Sequence, residues 1–302
     1  MQLKFTPLLL IVLLFTGFSS YAQDDLLNMI TDSTSGDSPV LATFKSSRII
    51  NAHTVETVRK KDLDFRVGHR FGNIGGASGG GVHSLYGLDE SADINIAFEY
   101  GLSDNFTIGI SRSKVDEAIQ GLLKYRILRQ TENDRVPISV ALVSSSVITP
   151  KVVFDKTFTN NDLHRLSYVY QAVIARKFNE GFSFEVIPTV IHRNWVPFGD
   201  ENTNFALGAG TRIKLTKRTA IIADAFYTFS DFRKKNKGIY LMPPVSLGWE
   251  AETGGHVFTI MFSNARGLLE NDYLVNTTDS WGKGGFKLSF IISRTFSTGR
   301  KK

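Results

Sequence analysis

The chain of 302 residues has no cysteine, which excludes disulfide frameworks, thiolate metal centres, thiol catalysis and anchoring through a lipid-modified cysteine. A formal net charge of +6 and a pI near 9.4 raise nucleic-acid binding, but the basic residues sit in turns and tails such as Arg59-Lys60-Lys61, Lys217-Arg218, Arg233-Lys234-Lys235 and Arg300-Lys301-Lys302. With no basic helix and no compact patch, no nucleic-acid partner is expected. Aromatic residues at 12% and 26 glycines, with no long apolar run beyond residue 22, fit an exported, strand-built protein better than a soluble enzyme.

Residues 1–22 carry Lys4 in a short basic region, then PLLLIVLLFTGF, then Ser20 and Ala22 at the small positions of a cleavage site, which predicts a cleaved secretory signal peptide. The apolar run is too short for a spanning helix, which needs roughly twenty residues. Residues 23–45 are polar without period and predict a mobile periplasmic lead-in. From Asp62 the pattern changes. Leu63, Phe65, Val67, His69 and Phe71 fall on one side of an extended chain, and Asp62, Asp64, Arg66, Gly68 and Arg70 on the other. The preceding stretch, Arg48 to Thr57, alternates poorly. NIGGASGGG at 73–81 lacks the G-K-[ST] ending of a phosphate cradle and joins two strands, so it predicts a flexible outer loop.

The clearest unit runs from Ala92 to Arg112. Ala92, Ile94, Ile96, Phe98, Tyr100 and Leu102 share a face, a tight turn at 103–105 follows, and Phe106, Ile108 and Ile110 return opposite Leu102, Tyr100 and Phe98. The same unit recurs over 119–128, 166–175, 205–215, 219–229, 256–263 and a closing strand from Phe286 to Phe296; PISVALVSSSVI alternates less cleanly. Pro188 and Pro243-Pro244 remove ladder donors, which predicts bulges or strand ends near the outer rim. Short turns at 103–105, 130–135, 179–181, 216–218 and 252–255 are assigned to the periplasm, and the longer links at 72–91, 113–118, 149–163, 196–203, 230–238 and 265–283 to the outside. The pattern predicts an all-β, antiparallel up-and-down transmembrane β-barrel of about twelve strands over residues 59–302. Adding Arg48–Thr57 would make the count odd, so residues 23–58 are read as a lead-in with a segment in the lumen or at the periplasmic mouth.

The run FKSSRIINAHTVETVRKKDLDFRVGHRFG, followed by LYGLDESADINIAFEYGLSDNFTIGISRS and LLKYRILRQ, resembles a family of bacteroidete outer-membrane β-barrels classed as a domain of unknown function, number five-seven-seven-seven. The resemblance covers most of the mature chain and implies a barrel in the outer membrane of a Gram-negative bacterium. It brings no catalytic or binding residues.

No Ser-His-acid set or nucleophile elbow can be assigned, and the six histidines show no metal-ligand spacing, so no enzyme, cofactor or metal is expected. What carries chemistry is the inward face. Its lumen-lining candidates are Arg66, Arg70, Asp93, Glu99, Lys124, Arg126, Arg212, Lys214, Asp224 and Lys287, with Asp64, Asn95, Gln171 and Glu185 on the same registers. The set leans basic, which in an open lumen favours anions. Two functions compete: a narrow or gated path for small polar or anionic solutes, and a non-transporting barrel with paired charges that serves structure or docks an envelope partner. Expected partners are outer-membrane lipid and lipopolysaccharide, a small polar solute, and the barrel-assembly machinery, which an aromatic closing strand ending at Phe296 would address.

Overall fold

The structure is a computed structural model that describes residues 38–76, 79–150, 162–232 and 241–299. The predicted signal peptide and the lead-in up to residue 37 lie outside the described residues. So do 77–78 of the glycine-rich link, residues 151–161 and 233–240, and the basic tail 300–302.

Period-two alternation becomes a closed wall. The strands are β1 (Asp62–Asn73), β2 (Ser91–Ser103), β3 (Phe106–Ser113), β4 (Ile119–Leu128), β5 (Ser139–Ile148), β6 (Leu166–Asn179), β7 (Phe182–Arg193), β8 (Thr203–Lys214), β9 (Thr219–Phe229), β10 (Val245–Thr253), β11 (His256–Ser263) and β12 (Lys287–Ser297). Each pairs antiparallel with its sequence neighbours, and β1 pairs with β12 from Asp62↔Ser297 to Asn73↔Lys287, so the twelve-stranded barrel has no free edge. The expected hairpin register holds where Phe98 faces Ile110 and Tyr100 faces Ile108, but not at the turn, where a register shift after Gly101 sets Ser103 rather than Leu102 opposite Phe106. No helix among the described residues is long and apolar enough to cross a membrane. The outward registers instead carry exposed Ile96, Phe98, Ile110, Leu123, Tyr125, Tyr170, Phe205, Leu207, Tyr227, Leu247 and Ile260 around the ring. A belt of this kind exceeds the few hundred Å² of apolar patch that a water-soluble monomer tolerates, and matches the apolar band of a transmembrane barrel.

The prolines divide. Pro243 and Pro244 precede β10, at a strand end as predicted, and the Pro244 carbonyl accepts the Phe226 N–H at 3.0 Å. Pro188 is neither at the rim nor in a bulge. It lies in mid-strand on β7, paired with Leu207 of β8, while the β6 side is paired through Gln171↔Thr189 and again from Ile174↔Val186, in one register, with no pairing between. The ladder skips the residue that has no N–H and continues unshifted, because the intact β8 side holds the strand in place.

Eight strands enclose just enough room for their own side chains, so twelve leave space that a stable barrel must fill with water or protein. Here protein fills it. Residues 47–54 form a tight hairpin, with Ile49 N–H donating to Ala52 O at 2.9 Å and Thr54 N–H to Ser47 O at 3.0 Å. The same hairpin bonds to β1, β4, β9 and β10, strands on different sides of the ring, which only an interior position allows. The second filler is a correction to the sequence reading. The link after β11, expected as a polar outer loop, turns inward and buries Leu268, Leu269, Tyr273, Leu274 and Val275 around a short helix at Glu270–Tyr273. Its apolar residues cluster within eight positions, and Tyr273 packs on Phe226 of β9 with ring centroids 5.2 Å apart.

Candidate functional site

The interior is polarised. From β5 to β9 the inward registers are mainly apolar, with Val143, Val169, Val173, Ile187, Ile191 and Ile222 buried against Ile49, Ile50 and Tyr273. From β1 to β4 they carry most of the predicted charges. Arg66, Arg70, Asp93, Glu99, Lys124 and Arg126 are all buried, as are Asp224 on β9 and Lys287 on β12. Arg212 is partly exposed and pairs with Glu250 at 2.9 Å. Lys214 does not join them: it ends β8 at the turn and is exposed, because alternation sets the register but not the depth of the filled interior. Glu250, which the sequence reading left out, is buried. With Lys214 outside and Glu250 inside, the charged wall residues are evenly matched in sign.

Most of these charges hold the fillers. Asp224 Oδ2 accepts the backbone N–H of Asn51 at 2.6 Å and of Ala52 at 2.9 Å, and Asn51 Nδ2 donates to Ser246 Oγ at 2.7 Å. Lys124 Nζ donates to Ser47 O at 2.8 Å, and Arg66 donates to Ser47 Oγ at 2.9 Å. A hairpin tip inside a barrel would otherwise strand its backbone polar groups, which is costly in a dry interior. At the end of the barrel that carries the β11–β12 link, Asp93 Oδ2 accepts the Leu268 N–H at 2.8 Å, and Lys287 Nζ pairs with Asp279 at 2.6 Å. Arg70, fully buried, ties both fillers to the wall by donating to Asn51 Oδ1 at 2.9 Å and to Gly267 O at 2.7 Å.

The two fillers meet at Glu270, a residue that the sequence reading missed along with Arg48, Asn51, His53 and Tyr273. Glu270 Oε1 accepts Arg48 Nη1 at 2.8 Å and Oε2 accepts Gln120 Nε2 of β4 at 2.6 Å. His53 Nε2 lies 3.1 Å from Glu270 Oε1 without the alignment of a hydrogen bond, and Nδ1 has no partner. Burial would by itself raise the Glu270 pKa, but the Arg48 guanidinium outweighs it and holds the carboxyl well below the usual range. Burial, aided by the positive charges of Arg48 and Lys124, pushes His53 down to about 3, so the ring stays neutral. Only the poor alternation of Arg48–Thr57 hinted that this stretch belonged inside; nothing in the sequence joined it to Glu270.

Satisfaction of the interior is incomplete. Glu185 is fully buried on β7 with neither carboxyl oxygen hydrogen-bonded, in register with Gly210 and Asp224 across β8, and Glu99 Oε2 also lacks a partner. Among the described residues no cluster of His, Asp and Glu has the arrangement of a metal site.

A closed antiparallel ring with an apolar exterior and a polar, protein-filled interior defines a membrane-spanning β-barrel. The chain belongs to the family described as membrane bound beta barrel domain (DUF5777), whose model matches residues 44–296. No curated protein matches it. Among solved structures it is similar to the NanC porin, at 10% identity over 78% of this chain and 98% of the other with a TM-score of 0.44. It is also similar to the KdgM porin, at 7% identity over 78% and 99% with a TM-score of 0.46, and to an outer membrane channel from Pseudomonas putida F1, at 12% identity over 80% and 98% with a TM-score of 0.48.

Proposed function

We propose that this protein is an outer-membrane barrel with a narrow, gated path for small polar solutes, anions among them, closed in this conformation by its own hairpin and the β11–β12 link. The observation that carries the reading is the state of the interior. An open pore would leave inward charges in water, whereas Arg70, Lys124, Asp93 and Glu185 are at 0% exposure, so the path is shut. A permanent filler would be expected to satisfy what it buries, whereas the docked hairpin leaves Glu185, Glu99 Oε2 and His53 Nδ1 unpaired, each a cost of roughly 1–3 kcal/mol or more that moving the hairpin would relieve. Export by a cleaved signal peptide, insertion by the assembly machinery and contact with lipopolysaccharide belong to the same reading.

Single-channel recording in planar bilayers tests it. The intact chain should give brief, infrequent openings, and a chain lacking residues 38–58 should give frequent openings, since the wall begins at Asp62 and is complete without them. Reversal potentials in asymmetric salt then measure ion preference. Silence from both proteins would favour a structural or partner-docking barrel, and openings from the shortened chain alone would make the hairpin a fixed filler.

A further inference from the structure

Where β1, β2 and β12 reach the β11–β12 link, they enclose with it a polar pocket of about 490 Å³, within the range of about 300–1,000 Å³ of small-molecule sites. Its charges are of both signs and come from different elements: Glu90 from the residues leading into β2, Lys287 from the start of β12, and Arg266 and Asp279 from the link. Lys287 and Asp279 satisfy each other at 2.6 Å. Glu90 and Arg266 retain capacity. Glu90 is exposed, lies over Gly72 where a Cβ would overlap its carboxylate, and makes no ion pair or side-chain hydrogen bond among the described residues. Arg266 is 50% exposed and uses one nitrogen, Nη2, on Asp272 Oδ1 at 2.9 Å, which leaves Nε and Nη1 available. Asp272 does not depend on it alone, since Asn276 Nδ2 donates to Oδ1 at 3.2 Å and the Gly267 N–H to Oδ2 at 2.8 Å.

We propose that this pocket binds a small zwitterion, a free amino acid or dipeptide, with the carboxylate on Arg266 and the ammonium on Glu90. The inference rests on the reading of a gated path and names the solute that the path admits. An anion alone would leave Glu90 uncompensated and meet its repulsion, a cation alone would do the same at Arg266, and a neutral sugar would use neither charge. A ligand that carries both ends matches both. The site also reaches the filler. Arg266 and Asn276 line the pocket and hold Asp272 of the short helix Glu270–Tyr273, so a carboxylate that draws Arg266 away loosens the link where it closes the interior.

The test is isothermal titration calorimetry on the full-length protein in detergent, which reads binding apart from any conductance. Alanyl-alanine should bind, while N-acetyl-alanyl-alanine and alanyl-alanine amide, each lacking one charge, should bind roughly 10- to 100-fold more weakly. Glu90→Gln should bring alanyl-alanine down to the level of the N-acetyl form, and Arg266→Gln should bring it down to the level of the amide. Gly72→Ala displaces Glu90 without removing a charge and should act like Glu90→Gln. A shift in gel mobility on boiling certifies that each variant is folded. No binding of alanyl-alanine by the folded natural chain, equal binding of either blocked form, or binding of maltose in its place would overturn the site. So would affinity that survives both Glu90→Gln and Arg266→Gln. Charge-selective binding to a barrel that stays silent in bilayers would support the site and overturn the path alone.

Discussion

Removing the charge of Glu270 should undock the hairpin without opening the wall. Glu270 has a side chain 1% exposed and accepts hydrogen bonds from Arg48 and Gln120. Glu270→Gln keeps its shape and leaves Arg48, 11% exposed, as a buried cation without its partner. Breaking a buried pair from one side costs roughly 3–5 kcal/mol. No strand ladder includes Glu270, so the cost falls on docking, and the undocked population should rise roughly 10²- to 10⁴-fold. The absence of natural cysteine makes the assay clean: Ile50→Cys, at the hairpin tip and 1% exposed, reports undocking by its alkylation rate with a charged maleimide. Gel mobility of the folded barrel should not change. Adding Arg48→Met to Glu270→Gln removes both charges and should recover most of the protection, as neutral replacements of buried pairs commonly do. An alkylation rate unchanged by Glu270→Gln, or a double variant that shows the product of the two single effects, would refute the coupling.

Acid should loosen the same contact. The docked His53 titrates at about 3 and the released ring near its ordinary 6.5, so the undocked state binds more protons between those values; docking weakens as pH falls through that window by up to about 1.4 kcal/mol per unit. The lowered Glu270 pKa acts in the same direction below about 4.5. Alkylation of the Ile50→Cys probe, normalised to a cysteine at fully exposed Phe198, should accelerate from pH 6.5 to 5, and His53→Gln should flatten the profile; a flat profile in the natural background would count against it. Gly101→Ala should destabilise by about 1–3 kcal/mol, because a Cβ there meets the backbone carbonyls of Arg59 and Val58, where the chain leaves the lumen and no flexible side chain can yield. Gly121→Ala, with open space around it, should leave the urea midpoint unchanged, and equal midpoints for the two would refute the steric argument.

The wall was legible in the sequence because its cause is local. A strand between lipid and lumen must alternate, so Asp64, Arg66 and Arg70 or Asp93, Asn95 and Glu99 declare their face from their nearest neighbours, and short turns fix the pairing. Twelve such units determine a closed barrel and the inward position of most predicted charges. What occupies the barrel was settled only in three dimensions. Arg48–Thr57 lacks a period because it is buried from every side rather than on one face, and Leu268–Val275 resembles a surface loop until Phe226 closes over it. Glu270 lies 222 residues from Arg48, and Asn51 lies 173 residues from Asp224. Contacts at those separations leave no local pattern, so the sequence specified a charged interior, while the tertiary structure decided that those charges grip the protein's own chain.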